Sequence, residues 1–237
     1  MVETMQIKVT IKNIKEVTLP IAYHHIQQSA IYALIKGNLH DEGMSYEKRD
    51  YKLFTFSEFT GKYAIRNKKI TFYDRIYFEF RCFDNEVGEA FIKNIKEYGF
   101  RLGDISYHSI ELEESEYDIV ADSIRIKVIS PICVYETDSE RHTRYFNPGD
   151  DRFAELVNEN FIRKYTAAYG IAPKSGINLI LAKCSDRDKC FTRYKNYCIE
   201  AWKGEYVLEG KPDYLTFLYN TGLGAKNSQG FGLFEVM

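Results

Sequence analysis

Gln6-Ile-Lys-Val-Thr-Ile-Lys12 alternates apolar and polar side chains, the period of a half-buried strand, and the same pattern returns at Ile124-Arg-Ile-Lys-Val-Ile129. Outward from the first stretch, residues 22–36 carry Ile26, Ala30, Ile31, Leu34 and Ile35 at helical spacing. Tyr51-Lys-Leu-Phe-Thr-Phe56 opens a strand expected to reach Ile65. A turn at Arg66-Asn-Lys68 leads to its partner through Ile70-Thr-Phe-Tyr73 and Ile76-Tyr-Phe-Glu-Phe80. Asn85 is placed to cap a second helix with a stripe of Val87, Ala90, Phe91 and Ile95, stopped by Gly99. A fourth strand is expected over 101–113.

From Ile124 the order starts again, with Pro131 ending the regular part of the strand. Asp150 or Asp151 caps a helix through Phe153, Leu156, Val157, Phe161, Tyr165 and Ala168, closed by Gly170. Strands follow at Ile177-Asn-Leu-Ile-Leu181 and over 191–207, then a short helix from Tyr214 to Tyr219 and a last strand, Leu233-Phe-Glu-Val236. Two β-α-β-β-α-β units in tandem predict an α+β protein of two ferredoxin-like (RRM-like) domains. Each is a four-stranded antiparallel sheet with two helices, over 1–117 and 118–237, divided at the acidic stretch around 114–122. Folds of this kind host many functions, so the architecture names no chemistry.

Composition narrows the class. With 45% hydrophobic residues in 237, a real core is within reach and the composition is that of a folded chain rather than a disordered one. No apolar run approaches the roughly 18 residues of a membrane span. Met1-Val-Glu-Thr-Met-Gln6 lacks the basic-then-apolar order of a signal peptide. Five cysteines, an odd number without a Cys-x-x-Cys pair, read as reduced and mostly buried thiols of a cytoplasmic protein. The net charge of −2 hides an uneven distribution. From Phe161 to Asn196 there are eight basic residues against two acidic, and from Glu111 to Asp122 six acidic and no basic. A local basic face is what phosphate binding requires, whatever the net charge.

The C-terminus holds the sharpest motif, Thr221-Gly-Leu-Gly-Ala-Lys-Asn-Ser-Gln-Gly-Phe-Gly232. Two Gly-hydrophobic-Gly units, Gly222 to Gly224 and Gly230 to Gly232, bracket Lys226, Asn227, Ser228 and Gln229. Successive N–H groups in such a loop form an anion-binding concavity, and the polar side chains add phosphate donors. This stretch resembles the C-terminal glycine-rich motif of the CRISPR-associated endoribonucleases, of the RAMP superfamily, that cut precursor guide RNA within its repeats. Leu19-Pro20 through Ile31-Tyr-Ala-Leu-Ile-Lys36 and Lys52-Leu-Phe-Thr-Phe-Ser57 resemble the same family. The resemblance covers nearly the whole chain, strongest at the C-terminal loop, good through 19–57 and weak between.

What the family resemblance implies is specific. Its fold is the tandem ferredoxin-like one, its ligand is CRISPR repeat RNA, and it calls for no cofactor. The resemblance leaves room for other CRISPR-associated effector subunits or a second copy as partners, and for none in a membrane. RNA strand scission needs neither metal nor protein nucleophile, because the 2′-OH attacks the adjacent phosphate, leaving a 2′,3′-cyclic phosphate and a 5′-OH. The protein must align that attack, move two protons and stabilise a pentavalent phosphorane. His, Lys and Tyr suit these tasks, and no clustered carboxylates of a metal-dependent nuclease stand near the basic regions. Carried over from the family, the active site falls on Tyr32, on His40 in the loop Asn38-Leu-His-Asp-Glu-Gly43, and on Lys52. His40 is general base or acid, Lys52 offsets phosphorane charge, and Tyr32 hydrogen-bonds the scissile phosphate or positions the 2′-OH. Lys48 is the substitute for the cationic role, and His24 and His25 are rivals for proton transfer. His108, expected inside a strand, and the cluster Arg141-His-Thr-Arg-Tyr-Phe146 are further candidates. For RNA binding the loop offers Gly222, Gly224, Lys226, Asn227, Ser228, Gly230 and Gly232. Lys183, Arg187, Lys189 and Arg193 offer a second basic surface around an expected turn. An RNA-binding protein without cleavage, or a structural subunit of a CRISPR ribonucleoprotein, would need the fold and the loop alone.

Overall fold

A computed structural model describes residues 5–36, 43–47, 49–194 and 197–237. The first half runs β1 (Met5–Pro20), α1 (His24–Ile35), β2 (Met44–Tyr46), β3 (Arg49–Tyr51), β4 (Phe54–Phe56), β5 (Thr60–Arg66), β6 (Lys69–Cys82), α2 (Asn85–Tyr98), β7 (Phe100–Leu102), β8 (Ile105–Tyr107) and β9 (Ile110–Ser115). Its sheet has the order β4-β6-β1-β9, every pair antiparallel, with β5 added along the far end of β6. The second half runs β10 (Ser123–Ile132), β11 (Tyr135–Thr137), β12 (Thr143–Tyr145), α3 (Asp151–Tyr169), β13 (Asn178–Lys183), β14 (Lys189–Tyr194), β15 (Tyr197–Glu209), α4 (Pro212–Thr221) and β16 (Phe234–Val236). Its order, β13-β15-β10-β16, repeats the first, with β14 added beside β15. Both halves are therefore ferredoxin-like, each with a fifth strand beyond the expected four.

Each helix covers one face of its sheet because its apolar side chains recur at helical spacing. On α2, Phe91 stacks on Phe80 of β6 with ring centroids 4.5 Å apart. Asp84, not Asn85, caps α2, its side chain accepting from the Glu86 N–H. Gly170 ends α3 in the left-handed region at φ 72°. Some expected elements divide. The strand expected over 51–65 breaks after Phe56, where the Ser57 N–H donates to the Glu79 carbonyl and the Ser57 hydroxyl accepts from the Glu79 N–H. The segment expected as a strand over 101–113 forms the hairpin β7–β8 and then β9, which leaves His108 between strands. The strand expected over 191–207 is parts of two, β14 and β15. Of the five free cysteines only Cys82 and Cys133 are buried, and burial raises both thiol pKa values, Cys133 to about 12.

A buried polar network joins the halves. Arg81 of β6, 1% exposed, stacks on the Tyr219 ring at 3.6 Å and donates to the Tyr219 and Phe234 carbonyls at 3.2 and 2.7 Å. Its Nε meets Glu79, which also accepts from Gln6. Leu53 and Phe83 of the first half are buried in the core of the second.

Candidate active site

Helix α1 carries Tyr32 on the edge of its buried face, where the ring packs edge-on against Phe54 with centroids 5.7 Å apart. Lys52 stands between β3 and β4, and the register of β4 against β6 fixes the backbone beyond it. The Lys52 ammonium lies 4.4 Å from the Tyr32 ring centroid. A cation at that distance is attracted to the face of the ring. Two of the three residues assigned by resemblance are thus side by side. His40 and Lys48 lie outside the described residues.

Of the other histidines, His24 and His142 face carboxylates and His25 a backbone carbonyl. His24 opens α1 and is stacked between Tyr23 and Phe231, with centroids 5.5 and 5.8 Å away. Its Nε2 lies 3.5 Å from Glu58 Oε1, and Lys203 of β15 reaches the other Glu58 oxygen at 2.6 Å. Burial alone would raise the Glu58 pKa, but His24 and Lys203 outweigh it and hold the carboxyl at about 2. This triad spans the two halves. His25 Nδ1 is 2.9 Å from the Ala22 carbonyl. His142, exposed, faces Asp138 and Glu140, while Phe146 beside it is buried under Arg144.

At its four glycines the C-terminal loop is an internal joint. The N–H groups of Gly222, Leu223, Ala225, Gln229, Gly230 and Gly232 all donate to protein carbonyls. Gly222, Gly224, Gly230 and Gly232 are buried at positive φ. A side chain at Gly230 would stand 2.6 Å from the Phe56 ring, and one at Gly232 would overlap the Leu223 carbonyl oxygen. Asn227 is buried too: its amide donates to the Leu223 and Phe231 carbonyls, and its Oδ1 accepts from Lys164. Loop and first half are pinned together by Thr55 Oγ1 donating to the Phe231 carbonyl at 3.0 Å. Lys226, its ammonium 4.9 Å from the Tyr135 ring, and Ser228 remain partly exposed.

Lys164 is the residue the sequence reading missed. It was one of eight cations of a basic stretch, yet it is 3% exposed, and burial lowers its pKa to about 7. The signal was there: it falls three residues after Phe161 and four before Ala168, on the buried side of α3. Of the second basic surface, Lys183 ends β13, Arg187 sits in the following 3-10 turn and Lys189 opens β14. Lys189 pairs with Glu200 at 2.8 Å, and Arg193 lies on β14 opposite Cys198. A cleft of about 450 Å³ opens on the second half, lined by Tyr135, Glu159, Asn160, Arg163 and Ala225, with Arg49 of the first half at its edge.

A protein-family profile described as "CRISPR associated protein Cas6, C-terminal" matches residues 112–236, more than half of the chain. The chain belongs to the Cas6 family. It is 28% identical over 245 aligned positions to the CRISPR-associated endoribonuclease Cas6 1 of Methanocaldococcus jannaschii, covering 98% of this chain and 92% of that one. To the Cas6 endoribonuclease of Pyrococcus furiosus it is 26% identical over 226 positions, covering 92% and 83%. A solved structure titled "CRISPR associated protein Cas6" superposes with a TM-score of 0.80 at 24% identity over 99% of this chain and all of that one. Another, "An RAMP protein binding different RNA substrates", has a TM-score of 0.82 at 17% identity over 99% of each, and shares the tandem Cas6 fold. No helix among the described residues is long and apolar enough to cross a membrane.

Proposed function

We propose that this Cas6 protein is an endoribonuclease that cuts CRISPR precursor RNA within its repeats by metal-independent transphosphorylation. The observation that carries the reading is the Lys52 ammonium 4.4 Å from the Tyr32 ring, in a chain whose curated relatives are named endoribonucleases. The ribose 2′-oxygen forms a bond to the adjacent phosphorus and the bond from phosphorus to the 5′-oxygen breaks. The 2′-OH proton passes to a base and the leaving 5′-oxygen gains one from an acid; His40 takes one of these roles. Lys52 offsets the phosphorane charge, and the Tyr32 hydroxyl hydrogen-bonds a phosphate oxygen. Residues 1–117 supply these catalytic side chains. Residues 118–237 supply RNA contacts through Lys226, Ser228, Lys183, Arg187, Lys189 and Arg193.

The test is cleavage of the host's repeat RNA in excess EDTA. One cut, ending in a 2′,3′-cyclic phosphate, is expected from the parent. Losing an electrostatic stabiliser of this kind costs about 10²–10³ in rate, so Lys52→Ala should slow cleavage on that scale while still binding RNA. A 2′-deoxy nucleotide 5′ of the cut should abolish scission. Scission of that substituted RNA would sink the mechanism, and binding without any scission by the parent would leave an RNA-binding protein instead.

A further inference from the structure

The hairpin β5–β6 carries a charge pattern that neither the fold nor the candidate active site uses. Thr60 to Tyr77 contains five cations, Lys62, Arg66, Lys68, Lys69 and Arg75, against one carboxylate, Asp74. All five are exposed, and none is ion-paired among the described residues. Arg152 shows the contrast, since Glu136, Glu155 and Glu159 surround it.

Register sorts these side chains onto one face. Thr60 pairs with Tyr77, Lys62 with Tyr73, and Arg66 with Lys69. The bulge between Gly61 and Lys62 keeps this parity across the irregular Asp74. Lys62, Arg66, Lys69, Tyr73 and Tyr77 therefore line the side away from the helices, while Ile70, Phe72 and Ile76 fill the core. Tyr77 is 40% exposed. Arg66 directly opposite Lys69 places like charges across a strand pair, an arrangement that weakens a sheet. Tyrosine rings and unpaired cations alternating along one sheet face are the elements that stack bases and hold phosphates of single-stranded RNA.

We propose that this face is a second RNA-contact surface, which binds an unpaired segment of the precursor with phosphates on Arg66, Lys69 and Lys62 and bases on Tyr73 and Tyr77. From Lys69 to Tyr77 it extends about 25 Å at the rise of a strand. The inference rests on the RNA-processing reading above. It differs from that reading in placing RNA on a sheet face of the first half, apart from Tyr32 and Lys52.

Binding is measured with repeat RNA made uncleavable by a 2′-deoxy nucleotide at the mapped cut. Arg66→Ala/Lys69→Ala should weaken binding about tenfold near 0.15 M salt and make the slope of log K against log salt shallower by about 1.4. Tyr73→Ala/Tyr77→Ala, with Tyr77→Ala alone as the gentler variant, should weaken it on the order of tenfold without changing the slope. Parent-like affinity and slope in all three, with unchanged melting temperatures, would overturn this surface and leave the nuclease reading standing. A parent that does not bind repeat RNA would overturn both. Loss of self-association in sedimentation, with RNA affinity unchanged, would also overturn it and assign the face to a second copy, whose acidic β9 is complementary in charge.

Discussion

Lys164 is surrounded by oxygens, none of them a carboxylate among the described residues: the Thr221 carbonyl and hydroxyl at 3.4 and 3.5 Å, the Gly222 carbonyl at 2.5 Å and Asn227 Oδ1 at 3.0 Å. A charge on it must be solvated by the same loop that its presence orders. Burial lowers its pKa from the ordinary 10.5 to about 7, so between those values the unfolded chain binds a proton that the folded chain does not. Stability must then rise with pH across that window, by at most about 1.4 kcal/mol per pH unit. The surrounding oxygens favour the ammonium and reduce the slope. In urea titrations from pH 7 to 9.5 the parent should gain stability relative to Lys164→Met; a loss with rising pH would contradict the assignment. The residues proposed for catalysis are the opposite case. Tyr32 and Lys52 stand out neither by burial nor by charge, so only the family resemblance singled them out. What the sequence did not convey is that the ammonium of Lys52 rests on the ring of Tyr32.

At the scale of elements, the glycines of the C-terminal loop act through the space they leave empty. Gly222 stops α4 at φ 81°, and Gly232 at φ 78° lies where a Cβ would strike the Leu223 carbonyl. Gly170 has a similar φ of 72° with nothing within 4 Å. The two separate the cost of a left-handed backbone from the cost of a clash. Gly170→Ala should lower stability by about 1 kcal/mol, the price of αL backbone alone. Gly232→Ala should lose at least twice as much, because backbone rather than a flexible side chain must move; equal shifts in melting temperature would refute this. The motif's presence was readable from sequence and its role was not: glycines that cradle a phosphate and glycines that let two backbones touch are spelled alike. The strands followed a similar rule. Alternation located β1, β6 and β10, but breaks such as the one at Ser57 depend on a hydrogen bond to Glu79, distant in sequence.

At the scale of the molecule, two ferredoxin-like units were legible because each repeats the order strand, helix, two strands, helix, strand. How firmly they are joined was not, since the joining residues are polar ones on faces that alternation assigns to solvent. Arg81 follows Phe80 on β6 and therefore points away from its own core. It is nonetheless buried, because Tyr219 and Phe234 of the other half cover it. Removing it would leave the buried Glu79 side chain with Gln6 as its remaining polar partner among the described residues, and would free two carbonyls. A broken buried pair of this kind costs about 3–5 kcal/mol. The loss falls on the joint between the halves, which Thr55, Ser130 and the Glu58–Lys203 pair also cross. Arg81→Ala should therefore lower the melting temperature and split a single calorimetric transition into two, as each half unfolds by its own core. Arg81→Lys, which keeps the charge but not the forked donor, should fall between parent and Ala. A single transition in Arg81→Ala at the parent's temperature would mean that the aromatic and aliphatic contacts, Leu53 and Phe83 among them, already suffice to hold the two halves as one cooperative unit.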